Sequence, residues 1–249
     1  VHLETFAHGG SFLHRLDPRV KLLTALAFSL AVGLSGRPAV WWGGLAGGLL
    51  VVGLARLPWG PLVRRMVAVN AFVALLWVVL PWKLQLGGDA WWVYSPEGVA
   101  LAAGITIKTN AIVLGLLGLL ATSPVNALFH ALAHLRAPAK LVHLFLFFYR
   151  YLHVLHREYH RLTLAMRARG FRPGNNLHTY RSYGQLAGMV LVKSFDRAER
   201  VYQAMLCRGF SGTLWLLDHF AWGRAESLFA AGAGLYLAGL LAAGYGGAW

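Results

Sequence analysis

Two arginines in a repeated setting and three histidines at helical spacing are the residues here whose types could do chemistry. AMRARGF, residues Ala165–Phe171, returns as AMLCRGF, residues Ala204–Phe210, 39 residues later with five of seven letters shared. Extended backwards, EYHRLTLAMRARGF and RAERVYQAMLCRGF also align Arg161 with Arg200. Arginine makes forked, charge-assisted bonds to carboxylates. Two similar helix ends, each offering one arginine, therefore suit two similar acidic grooves, such as those of a symmetric dimer. Ala168 and Cys207 are small and let a partner's backbone come close. The ordinary reading is a pair of helix ends, with arginine favouring the helix dipole and glycine supplying a left-handed cap. That reading covers Arg-Gly. It leaves Ala-Met before it and Phe after it, twice, without a reason.

His153, His156 and His160 are spaced i, i+3, i+7, which can bring imidazoles to one helix face. Yet HREYH is not HExxH, because Glu158 sits one place late for a zinc-protease base. Arg150, Arg157 and Arg161 crowd the same segment and repel cations. These are read as interfacial histidines on a helix, with no metal ligands and no catalytic residue expected. The chain has no GK dipeptide, hence no Walker A lysine and no ATP site of that type. Asp196 and Glu199 are read as solvated partners of Arg197 and Arg200. Lys108 interrupts an apolar segment. It faces a bundle interior, cavity or partner, or else snorkels.

The elements that must position these residues are mostly apolar. Of 249 residues 57% are hydrophobic and 13% charged, against about 25% charged in a soluble domain. Apolar segments at Val20–Ser35, Ala39–Ala55, Met66–Trp82, Gly98–Ala121 and Ser227–Gly244 run 16–24 residues, close to the ~20 that cross a bilayer as helix. Asp17 and Pro18 suit the start of the first. GGLAGGLL and AAGAGLYLAGLLAAG are small-residue stripes for close helix packing. Trp41, Trp42, Trp82, Trp91 and Trp92 fall near segment ends, as interfacial belts do. The lone cysteine, Cys207, excludes an internal disulfide and a CxxC site. VHLETFAHGG lacks the pattern of a signal peptide.

The net charge of +14 would suggest nucleic acid in a soluble chain. In a membrane chain it reflects cytoplasmic positive charge. Arg15, Arg19 and Lys21, then Arg56, Arg64 and Arg65, mark inside. The loop from Lys83 to Glu97, with one lysine and two acids, marks outside. The N-terminus is then cytoplasmic and, after five spans, the C-terminus extracytoplasmic. Residues 122–225 hold 14 of the 23 basic residues. They read as polar-faced helices broken at Pro138 and at RPGN, Arg172–Asn175. The apolar runs Leu141–Phe148 and Leu186–Val192 offer an alternative membrane hairpin, giving seven spans.

HRLDPRVKLL near the start, the paired AMxxRGF helices and RAERVYQAMLCRGF resemble the transmembrane T component of energy-coupling-factor transporters. Within that family they are most similar to the CbiQ branch, and the resemblance covers nearly the whole chain. It implies an all-α polytopic protein of the bacterial cell membrane. The expected organisation is a bundle of about four spans in residues 1–121, coupling helices in residues 122–225 and a last span in residues 226–249. It implies a non-enzymatic scaffold that couples ATP-driven motion to substrate entry, with cobalt as substrate and nickel or a vitamin as the alternatives. The implied partners are two ATPase subunits, a capture subunit of CbiM type with or without a small accessory membrane subunit, and the lipid bilayer, with no nucleic acid and no cofactor. The implied coupling residues are Ala168, Arg169 and Gly170, and Cys207, Arg208 and Gly209, where cysteine departs from the family's alanine. Met166, Phe171, Met205 and Phe210 support them. Two other classes fit the same residues: an intramembrane metalloenzyme using the histidine-rich helix, and a binder of anionic polymer or lipid through the basic segment.

Overall fold

The structure, a computed structural model, describes residues 9–84, 92–135, 137–212 and 223–245. Its helices are α1 (Phe12–Arg15), α2 (Pro18–Leu34), α3 (Pro38–Ala55), α4 (Trp59–Val79), α5 (Pro96–Leu119), α6 (Val125–His134), α7 (Ala139–Ala168), α8 (Leu177–Cys207) and α9 (Arg224–Tyr245). One short antiparallel hairpin, β1 (Trp82–Leu84) with β2 (Trp92–Tyr94), pairs Trp82 with Tyr94. The chain divides into two compact units. One is Arg136–His219; the other joins His2–Leu135 to Phe220–Trp249. α6 falls in the larger unit, where it packs against α2, although by composition it belongs to the basic segment.

In the larger unit the helix starts follow local chemistry. Pro18, Pro38 and Pro96 each open a helix, where a missing N–H costs nothing. Asp17 caps α2 by accepting the Arg19 backbone N–H at 2.8 Å. Four helices, α3, α4, α5 and α9, are long and apolar enough to cross a membrane. α2, at 17 residues, lies at the short end of the spanning range, about 17–25. α4 begins at Trp59 and not at Met66, since Arg64 and Arg65 are good helix formers; hydropathy marks where apolar sequence starts, not where the helix does. It ends at Val79, so Trp82 falls in the hairpin. Trp91 and Asp89 lie outside the described residues. Leu26, Leu34, Phe72, Val78 and Leu235 point large apolar side chains outward, as a lipid-facing surface does.

α3 and α5 form the centre of this unit. A Cβ on Gly48 would stand 2.9 Å from the Ala111 carbonyl oxygen, so only glycine permits this approach. The second small-residue stripe behaves differently: Gly232, Gly234 and Gly239 of α9 have no atom within 4 Å of where a Cβ would be. Asn70 and Asn110 exchange amide hydrogen bonds, 2.9 Å each, between α4 and α5. Lys108 reaches the Gly33 carbonyl at 3.5 Å, near the end of α2, and lies 5.1 Å from the Trp41 ring centre. Its charge thus meets a helix C-terminus and an aromatic face within the bundle. Lys21 is fully buried and donates to Ser123 at 2.7 Å and Thr122 at 3.4 Å. It belongs to the packing of α2 on the turn after α5, and is not a solvated loop charge.

The smaller unit contains two long amphipathic helices, α7 and α8, joined through RPGN. Pro138 precedes α7, and Asn176 caps α8 by accepting the Thr179 N–H at 2.9 Å. Glu158 of α7 accepts from Lys193 of α8 at 2.5 Å. Neither helix is among the four long and apolar enough to cross a membrane. An apolar groove of about 370 Å³ runs between them, lined by Phe147, Tyr151, Leu155, Val201, Met205 and Phe210.

Candidate functional site

The repeated heptapeptide forms the same structure twice. At the end of α7 the Phe171 N–H donates to the Met166 carbonyl at 3.1 Å and the Gly170 N–H to the Arg167 carbonyl at 3.0 Å. At the end of α8 the Phe210 N–H donates to Met205 at 3.1 Å and the Gly209 N–H to Leu206 at 2.9 Å. Gly170 and Gly209 hold φ of +82° and +79°. These are two Schellman caps, with Met at the third position from the helix end and Phe just past the glycine. That motif calls for an apolar pair at those two places. Met and Phe, unexplained by a simple glycine cap, are thus explained by the full one. Met166, Phe171, Met205 and Phe210 are half-buried; Ala165 and Ala204 are exposed.

The cap does not require arginine. Arg169 and Arg208 are the capping residues, both exposed, and among the described residues neither guanidinium has a hydrogen-bond or ion-pair partner. Ala168 and Cys207 precede them, also exposed. Each helix end therefore presents a small residue, a free guanidinium and a bare glycine in one backbone geometry. The two differ in what the phenylalanine touches. Phe171 packs edge-on to Tyr183 with ring centres 5.8 Å apart and tilts against His178 at 6.3 Å. Phe210, with Met205, lines the groove between α7 and α8.

The histidine row is divided. His156 and His160 approach with Nε2 atoms 3.0 Å apart, whereas His153 packs edge-on to Tyr149. Among the described residues no three His, Cys, Asp or Glu side chains form a metal-binding group. Desolvation, with the neighbouring charges of His160 and His153 behind it, lowers the His156 pKa. The hydrogen bond from Lys193 holds the Glu158 carboxyl below its ordinary range. Glu158 thus ties α7 to α8. Its partner, 35 residues away, left no signal in the sequence. Among the described residues Asp196 and Glu199 make no ion pair with Arg197 or Arg200; three of the four pairings are one or two positions apart and do not face each other, and Asp196 does not use its i, i+4 position opposite Arg200.

Residues 9–215 match the family model described as cobalt transport protein, CbiQ. Over 246 residues the chain is 26% identical to an energy-coupling factor transporter transmembrane protein EcfT of Acidaminococcus fermentans, covering 92% of this chain and 91% of that one. Over 135 residues it is 32% identical to the cobalt transport protein CbiQ of Rhodobacter capsulatus, covering 54% of each chain. An uncharacterised protein of Methanocaldococcus jannaschii is 29% identical over 146 residues, 58% of this chain and 54% of that one. The chain thus spans about half the length of the latter two relatives and nine-tenths of the first.

Proposed function

The chain belongs to the CbiQ family of membrane transport components, and from that premise we propose that it is the non-catalytic coupling subunit of an energy-coupling-factor importer for cobalt ion. In this reading Arg169 and Arg208 dock into acidic grooves on two ATPase subunits. A separate membrane subunit, of CbiM type, captures the substrate. The observation that carries the reading is the pair of identical caps, each presenting an arginine that its own fold does not use. A coupling subunit needs contacts that differ between two states of its partners, and two rigid, similar helix ends supply such contacts to a two-fold ATPase. The five spans are α2, α3, α4, α5 and α9, with the N-terminus and the caps cytoplasmic and the C-terminus outside. The positive-inside count supports this orientation through Arg15, Arg19, Arg56, Arg64 and Arg65.

Capture of the tagged chain from its native membrane should return ATPase polypeptide in two copies, or two related ones, and a further membrane protein. Vesicles of that complex should take up radioactive cobalt only with ATP. ATP-dependent uptake of nickel or a vitamin in place of cobalt would move the substrate within the same reading. Recovery of the folded chain alone, with no ATPase bound, would overturn the reading itself.

A further inference from the structure

We propose that His156 and His160 together form a two-imidazole site for a borderline divalent cation of the Cu²⁺ and Ni²⁺ class, on the exposed face of α7 and independent of the arginine caps. The two residues are four apart in one helix and so stack on one face. Their Nε2 atoms are 3.0 Å apart and their ring centres 4.4 Å. Both side chains are exposed, so an ion has open access and the rings have room to turn.

The separation lets one ion reach both nitrogens. At metal–nitrogen distances of about 2.0–2.1 Å, two nitrogens 3.0 Å apart subtend about 91–97° at the ion. A tetrahedral ion at the same bond length needs about 3.3 Å between nitrogens. A near-right angle suits neighbouring positions of an octahedral or tetragonal ion, and among such ions imidazole binds Cu²⁺ and Ni²⁺ most strongly. Without an ion, one Nε2–H donates to the other Nε2. With one, both Nε2 lone pairs turn to the ion, and the donor ring carries its hydrogen on Nδ1 instead. While both rings are neutral no proton is lost overall. Water fills the remaining positions.

The surroundings limit affinity without closing the site. Arg157 and Arg161 flank the pair on the same helix and oppose a cation. The Tyr159 ring lies 5.9 Å from that of His160. Glu158, the nearby carboxylate, is engaged by Lys193 of α8. His153 turns to Tyr149 and is not a third ligand. The site is therefore a weak chelate that pins one turn of α7, and its occupancy opposes local unwinding there.

The test uses the full, tag-free chain in detergent, titrated with Cu²⁺, Ni²⁺ and Co²⁺ by calorimetry, with electron paramagnetic resonance on the copper form. One ion per chain should bind, with affinity in the order Cu²⁺ over Ni²⁺ over Co²⁺ and two nitrogen couplings in the copper spectrum. His156→Ala or His160→Ala should weaken binding at least about tenfold, since each removes one arm of the chelate. His153→Ala should leave it unchanged. Helicity by circular dichroism shows whether each variant is folded, and His156→Gln with His160→Gln serves as a second double variant. Unchanged binding in a folded double variant, equal loss in His153→Ala, or no stoichiometric binding at millimolar ion would each overturn the proposal. None of these outcomes touches ATP-dependent uptake, which tests the coupling reading separately.

Discussion

Replacing Arg169 and Arg208 by alanine, singly and together, separates a helix-ending role from a docking role. The fold gives each guanidinium no partner among the described residues, and both are exposed. Loss of the charge near a helix C-terminus costs about 0.3–1 kcal/mol, and the Schellman hydrogen bonds, all backbone, stay in place. The variants should therefore fold, insert and keep their helicity. If each arginine is buried against a carboxylate in an ATPase groove, its removal costs about 2–5 kcal/mol of binding. That corresponds to about 30-fold to about 5,000-fold in affinity. The double variant loses both attachments and with them the avidity that links them. Co-purification of the ATPase should fall in each single variant and vanish in the double one, with ATP-dependent uptake falling in step. Lysine should restore little, because it lacks the planar fork. Arg157→Ala, on the same exposed helix, is the control. Wild-type assembly and uptake in the double variant would show that the repeat only ends helices, and the coupling argument would fail.

Four further outcomes follow from the same structure. Gly170→Ala or Gly209→Ala forces a Cβ into the left-handed region and should lower stability by about 1–2 kcal/mol in thermal unfolding, reducing helicity where the arginine variants do not. Lys21→Ala strips a buried donor from Ser123 and Thr122 and should destabilise the detergent-solubilised chain by about 1–3 kcal/mol, with Lys21→Met, which restores volume, less harmful. Glu158, depressed by Lys193, contributes stability that is full above its unfolded pKa of about 4.3 and lost as pH falls through its folded value; melting from pH 6 downwards should show this loss in wild type and less of it in Glu158→Gln. In a Cys207→Ser background, a cysteine at Asn175 should be labelled only from the cytoplasmic side and one at Asp89 only from outside; the reverse pattern would overturn the orientation.

The sequence was most legible where one local rule decides the outcome. Asp17-Pro18 starts α2, Pro138 and RPGN bound the basic helices, and uninterrupted apolar runs mark α3, α5 and α9. It was less legible where an element outruns its apolar part, as α4 does through Arg64 and Arg65. Contacts between distant segments could not be read at all. Lys21 with Ser123, Glu158 with Lys193 and Lys108 with Gly33 join residues 102, 35 and 75 positions apart, and no periodicity in a single chain encodes such pairs.

The repeat shows the same division inside seven residues. A glycine cap alone left Met and Phe as apparent evidence for docking, but the second Schellman bond and its apolar pair account for both. Met166, Phe171, Met205 and Phe210 therefore argue for two well-made helix ends and, by themselves, for nothing further. What the cap leaves over is small: a charge at the capping position, twice, and a small residue before it, twice. A helix end can be closed as well by many other residues at that position, and a fold that shields neither guanidinium gains little from keeping both. Any docking role thus falls to Arg169 and Arg208 with Ala168 and Cys207, and the caps serve it by presenting those four residues in one geometry for a partner to grip.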